Sequence, residues 1–167
     1  MTRQLDRSLA CDVRPAKAGD IAEIQATAHA SWHQAYASLL ATERIDRFLA
    51  ASYGKVSLQA ALRSRRSTFL IATQDGSAAG FCQFGDRGNG PELFRLYVHP
   101  QRWRQGIGRR LLSHVEMQFL VSGVRRYGLT VYRGNLRAML FYMKHGFERQ
   151  PSRDNEQEWY LRKLLVG

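Results

Sequence analysis

The stretch PELFRLYVHPQRWRQGIGRRLLSHVE, Pro91 to Glu116, reads as strand, glycine turn and helix in immediate succession, and the rest of the chain can be placed around it. Leu93 to Val98 is rich in aromatic and β-preferring residues, and His99-Pro100 stops the strand. After Gly106-Ile107-Gly108 the apolar residues Ile107, Leu111, Val115 and Phe119 recur every fourth position, which is one face of a helix. A helix that opens on glycines presents unpaired backbone N–H groups and the positive end of its dipole, and the missing Cβ atoms let an anion come close. Arg102, Arg104, Arg109 and Arg110 surround that opening with fixed positive charge. The sequence therefore predicts a seat for a pyrophosphate.

Two common phosphate-binding motifs are excluded. A dinucleotide fingerprint would need a third glycine where Leu111 stands and an acid near Gly128 and Leu129, and no GxxxxGK[ST] loop occurs anywhere. What remains resembles another pattern. Leu96-Tyr97-Val98-His99-Pro100 followed by Gly106-Ile107-Gly108 is similar to the acetyl-CoA motif of the GNAT N-acetyltransferase superfamily, [RQ]-x-x-G-x-[GA], and Asn135, Ala138, Tyr142 and Gly146-Phe147 match the N-x-x-A-x-x-x-Y-x-x-x-G-F block that follows it there. One position departs: Trp103 stands where the family usually has Arg or Gln. Since the family holds the pyrophosphate mainly through backbone amides, the expected effect is on loop packing.

The resemblance implies a mixed α/β fold, a central, mostly antiparallel sheet with splayed central strands flanked by helices, and an enzyme that moves acetyl from acetyl-CoA to a primary amine of a small molecule or protein in a ternary complex. It assigns cofactor contacts to Leu96, Tyr97 and Val98 along the pantetheine, and to Arg104, Gln105, Gly106, Ile107, Gly108 and Arg109 around the pyrophosphate. Asn135, Ala138 and Tyr142 fall at i, i+3 and i+7, a single helical stripe with a small residue in its middle, so Asn135 and Tyr142 are expected beside the cofactor arm. The family reading makes Tyr142 the group that receives the departing thiolate, and Glu92, at the start of the central strand, the carboxylate that helps deprotonate the amine. Trp32 and Tyr36, four apart on a predicted helix, are the expected aromatic wall for the acceptor.

Composition sets wider bounds. With 167 residues, 44% apolar and 23% charged, the chain has the length and composition of one globular domain. We read residues 1–10 as a flexible leader and 11–167 as a single acetyltransferase-like domain. No apolar h-region opens the chain and no window approaches a membrane span, so a cytoplasmic protein without a membrane partner is expected. Cys11 and Cys82 lie far apart, outside any Cys/His cluster, and predict buried thiols with neither a disulfide framework nor a metal site. The net charge of +11 is uneven: residues 1–90 carry eleven basic and eight acidic side chains, residues 91–167 fourteen and six. That excess coincides with the pyrophosphate seat, where it would steer an anionic cofactor. No helix-turn-helix, RRM, KH or zinc-finger pattern accompanies it, so nucleic-acid binding ranks below two other readings, the acetyltransferase and a CoA-binding regulatory or scaffold protein without transfer activity. A homodimer is compatible with all of these.

Along the chain, Cys11–Arg14 is expected as a strand, with Asp20 as N-cap of a helix from Ile21 that ends near Ser38 to Leu40. Helical segments follow from Thr42 to Gly54 and from Lys55 to Arg65. Strands are expected at Thr68–Ala72 and Ala78–Phe84, joined by a turn at Gln74–Ser77, and at Arg126–Val131, Phe147–Arg149 and Gln157–Lys163, with a helix over Asn135–Lys144.

Overall fold

The computed structural model describes residues 10–166, so all but the last residue of the expected leader lies outside the described residues. Seven strands form one sheet: β1 (Cys11–Pro15), β2 (Ser67–Gln74), β3 (Ser77–Asp86), β4 (Pro91–Val98), β5 (Arg126–Tyr132), β6 (Glu148–Arg149) and β7 (Glu158–Leu164), in the spatial order β1-β2-β3-β4-β5-β7-β6. Every neighbouring pair is antiparallel except β4 and β5. The helices are α1 (Ile21–Tyr36), α2 (Thr42–Tyr53), α3 (Lys55–Arg63), α4 (Ile107–Val121) and α5 (Leu136–Lys144).

The sheet separates two cores. Leu70, Ala72, Cys82, Leu93, Leu129 and Val131 pack on one face against Leu111, Val115 and Phe119 of α4 and against Tyr142 of α5. Phe69, Ile71 and Phe81 pack on the other against Ile24 and Ala28 of α1, Ile45 and Leu49 of α2 and Leu58 of α3. Successive strand residues point to opposite faces, so β2, apolar on both, serves both cores. The β2–β3 hairpin closes with two residues, Asp75 and Gly76, both at positive φ, the backbone that a tight hairpin between twisted strands prefers.

Several expectations need adjusting. The third helix stops at Arg63, two residues early, because Ser64 turns extended; β3 runs to Asp86, past its expected end at Phe84. Asp20 holds the N-cap position of α1, but its side chain makes no capping bond there. Its own backbone is helical, and its carboxylate turns back to take two bonds of 2.8 Å from the Arg14 guanidinium and one of 2.8 Å from the Lys17 amide. The ion pair with Arg14 holds the Asp20 carboxyl below its ordinary pKa.

The feature that positions the site is the parallel pair. β4 and β5 are in register only at Glu92 and Gly128, after which the two strands part. β4 remains paired on its other side to β3 from Pro91 to Val98, with a bulge at Phe94. Its free edge therefore faces a gap in the middle of the sheet.

Candidate active site

The gap widens into a cleft of about 1180 Å³, lined by Leu93 to Val98 on one side and Leu129 to Tyr132 on the other. Along β4 the side chains alternate about it: Leu96 and Val98 join the α4/α5 core, whereas Tyr97 joins the α1–α3 core. The last carbonyl of β4, that of Val98, accepts from the Ser31 hydroxyl of α1 and from the Trp103 indole N–H, both at 2.9 Å. This carbonyl thus ties α1 and the glycine turn to one strand end.

The turn is shaped for an anion. Arg104 and Gly106 have φ of 62° and 78°, with Gly106 at the N-cap of α4. Left-handed residues in such a turn bring successive N–H groups toward one concavity, and a non-glycine residue there carries strain of the kind that gathers at binding sites. The two glycines are needed for different reasons. A Cβ on Gly106 would meet nothing within 4 Å, so its positive φ is the constraint; a Cβ on Gly108 would lie 3.2 Å from the Phe141 ring, so there close packing of α4 against α5 is the constraint.

The cations around the turn are not quite the expected set. Arg102, Arg104 and Arg109 line the cleft, but the Arg110 guanidinium points away and donates to the Cys11 carbonyl on β1. Its place is taken by Arg137 and Lys144 of α5. Trp103 explains how Arg137 arrives: the guanidinium carbon sits 3.4 Å from the centroid of the indole ring. Burial, and after it the neighbouring Arg104, lower the Arg137 pKa. Gln105 is not part of the lining; its amide donates to the Gln101 carbonyl within the turn.

These features fit coenzyme A as a bound group: a seat of amides and arginines leads directly to an unpaired strand edge, along which the amides of an extended arm find backbone partners.

The opposite end of the cleft is aromatic. Trp32 stacks on Phe48 at 4.1 Å and lies 4.4 Å from Tyr36, which meets Tyr132 edge-on at 5.7 Å. Trp32, Tyr36, Phe48 and Tyr132 all line it. Tyr36 is almost fully buried, and its hydroxyl accepts from the Asn135 amide at 3.1 Å. The Asn135 carbonyl oxygen meanwhile caps α5 by accepting from the Ala138 N–H at 3.1 Å. Asn135 is thereby spent on joining α5 to α1, although it borders the cleft.

Tyr142 projects from α5 toward the same space and is 8% exposed. Burial raises its pKa, with nearby Tyr36 and Cys82 adding to the shift, and among the described residues no hydrogen bond offsets it. The phenol is therefore a proton-bearing donor through the neutral and alkaline range. Glu92 is half-buried at the closed end of the gap and is not among the lining residues, whereas Glu158, which sequence reasoning missed, is. Glu158 stands across from Tyr132 in the β5–β7 pair and accepts from the Thr130 hydroxyl at 3.2 Å. It is the sole carboxylate of the lining among the described residues, and two more cations, Arg44 and Arg95, stand on the aromatic side. Arg95 lies over the Tyr53 ring at 4.5 Å and donates to the Ser52 carbonyl at 3.2 Å, with no carboxylate partner among the described residues. Cys11 and Cys82 are buried, free and absent from the lining, and burial pushes the Cys82 thiol up to about 12.

Comparison with known proteins places this architecture. The acetyltransferase (GNAT) family matches residues 27–147. A spermidine N(1)-acetyltransferase of Thermoplasma acidophilum is 29% identical over 144 residues, covering 84% of this chain and 89% of that one, and an uncharacterised N-acetyltransferase of Bacillus subtilis is 30% identical over 160 residues, covering 93% and 90%. A shorter match, 34% over 83 residues, covers 50% of this chain and 56% of the Escherichia coli enzyme that acetylates the alanine of ribosomal protein bS18. Among solved structures, the PaiA N-acetyltransferase of Thermoplasma acidophilum in complex with coenzyme A superposes with a TM-score of 0.88 at 27% identity, over 93% of this chain and 99% of that one.

Proposed function

This chain belongs to the acetyltransferase (GNAT) family and is an acetyl-CoA-dependent N-acetyltransferase, and from that premise we propose that it acetylates a primary amine of a small molecule or protein by direct attack within a ternary complex. The observation that carries this reading is the parting of β4 from β5 beyond Glu92 and Gly128, which leaves one cleft with an anion seat at one end and an aromatic wall at the other. Both reactants then meet over the same strand edge. The absence of a cysteine from the described lining favours direct attack over a thioester on the enzyme.

Acetyl-CoA supplies the activated acyl group. The amides from Gly106 to Arg109 hold its pyrophosphate, with Arg102, Arg104, Arg109, Arg137 and Lys144 around it, and Leu96, Tyr97 and Val98 run beside its arm. Gln105 supports this seat from within the turn, while Asn135, on the cleft border, joins α5 to Tyr36. Trp32 and Tyr36 flank the acceptor.

A lysine-type ammonium has a pKa of about 10.4, so at neutral pH roughly a few molecules in ten thousand are nucleophilic. Glu158 meets the incoming ammonium on the cleft wall, and Glu92, on the opposite sheet face from the core residue Leu93, takes its proton through water at the closed end. Tyr142 donates a hydrogen bond at the position where negative charge develops on sulfur. An ordinary tyrosine is already a weaker acid than a thiol by about 1.5 pKa units, and burial widens that difference, so Tyr142 keeps its proton in the transition state.

The charge of the acceptor side narrows the choice of amine. With Arg44 and Arg95 set against the lone Glu158, a polycation is repelled more than a monoamine or a peptide N-terminus, which departs from the spermidine named for the archaeal relative. The test is thiol release from acetyl-CoA across a panel holding spermidine, monoamines, amino acids and short peptides with free N-termini. Acetylation of a monoamine or peptide ahead of spermidine is expected. Intact CoA binding with no thiol release above background on any amine would instead make the chain a CoA-binding regulatory protein.

A further inference from the structure

On the outer surface, away from the cleft, α1 and α2 bring together two histidines and an aspartate that the acetyl-transfer reading does not use. His29 and His33 lie four residues apart on α1, hence on one helical face, and their rings are 4.4 Å apart. Asp46 of α2 reaches across, with its Oδ1 2.9 Å from His33 Nε2. One ligand atom from each of the three lies within 4.8 Å of the other two. We infer that His29, His33 and Asp46 form a binding site for a divalent transition ion of the zinc class, which clamps α1 to α2.

The donor set suits that ion. Zinc takes imidazole nitrogen and carboxylate oxygen at about 2.0–2.2 Å in tetrahedral geometry, which places neighbouring ligand atoms roughly 3.3 Å apart. One pair is already slightly closer than this, at 2.9 Å. His33 is half-buried while His29 and Asp46 are exposed, so the fourth position opens to solvent and water completes it. One carboxylate with two neutral imidazoles leaves a net single positive charge on the bound ion, which costs little at an exposed surface.

The site is also placed to matter. His33 and Asp46 are each within two residues of the stacked pair Trp32 and Phe48, which lines the acceptor side of the cleft. An ion joining the helices within two residues of that stack fixes the spacing of the wall. This last consequence rests on the proposed acceptor side; the binding site itself does not.

The test uses the tag-free full-length chain, stripped with chelator, and zinc titrated in competition with a chromophoric indicator. One ion per chain at micromolar concentration is expected, with a zinc-dependent rise in melting temperature. Separate His29→Ala and Asp46→Asn variants should bind at least tenfold more weakly while melting like the parent in metal-free buffer. No uptake up to millimolar zinc, or uptake unchanged in both variants, overturns the site. If zinc binds as expected but leaves the acceptor KM unchanged, the clamp stands and its link to the acceptor wall falls.

Discussion

Tyr142 is the residue at which structure and chemistry meet most closely. Its neighbours are rings, with Phe141 and Phe147 edge-on at 5.2 and 5.3 Å, so Tyr142→Phe removes an oxygen and leaves the packing in place. CoA affinity and melting temperature should hold, while kcat and kcat/KM fall together by roughly 10- to 1,000-fold, as for a lost transition-state donor. Steady-state kinetics beside calorimetry separates the two; an unaltered kcat would reduce Tyr142 to packing. The two carboxylates should fail differently. Glu158→Gln removes an attraction for the ammonium and should raise the acceptor KM with kcat nearly kept. Glu92→Gln removes the proposed proton acceptor, so its kcat defect should be greatest at low pH and shrink as the amine's own pKa is approached. Identical pH profiles for Glu92→Gln and the parent would leave Glu92 without a role in proton transfer.

The strand–turn–helix unit of β4 and α4 was legible because its signals are local: an aromatic strand, a Pro stop, glycines and a four-residue apolar repeat all lie within one stretch. The α5 stripe was legible for the same reason, and Asn135, Ala138 and Tyr142 do border the cleft. What the sequence hid depends on pairings between distant elements. Arg110 looked like a phosphate ligand because it neighbours Arg109, yet the next position on a helix points 100° away, toward β1. Glu158 became visible only through the register of β7 on β5, and Arg137 only through its stack on Trp103. That stack makes the unusual Trp103 a positioning residue. Trp103→Ala should free Arg137 and the Val98 carbonyl and weaken CoA binding about tenfold by calorimetry, with melting little changed. Gly106→Ala meets no steric neighbour but must hold positive φ, which costs roughly 1–2 kcal/mol of stability by chemical denaturation. A fully stable Gly106→Ala chain with parental CoA affinity would mean that the left-handed turn is dispensable.

At the scale of the whole molecule, the two cores and the cleft carry four buried phenols and a partly buried one, Tyr97. Tyr36, Tyr53, Tyr97, Tyr127 and Tyr142 all have pKa values raised chiefly by burial, Tyr53 to about 12, and the Cys82 thiol is likewise raised. Each group binds its proton more tightly folded than unfolded. Their contribution is therefore complete at neutral pH and is lost as pH rises past the unfolded values, 9.0 for the thiol and 10.0 for the phenols. The melting temperature should fall steeply above about pH 10, with unfolding and tyrosinate absorbance appearing together; early tyrosinate absorbance in a chain that stays folded would mean the phenols are open to solvent. The same architecture underlies the proposed order of the reaction. One cleft, with the anion seat at one end, the aromatic wall at the other and no cysteine in its lining among the described residues, offers space for both reactants and no thiol to hold the acetyl group between them. Initial velocities measured with acetyl-CoA and the best amine varied together test this most directly. Lines that intersect in the double-reciprocal plot are predicted for a ternary complex, whereas parallel lines, the mark of an acetyl group carried on the enzyme, would contradict it.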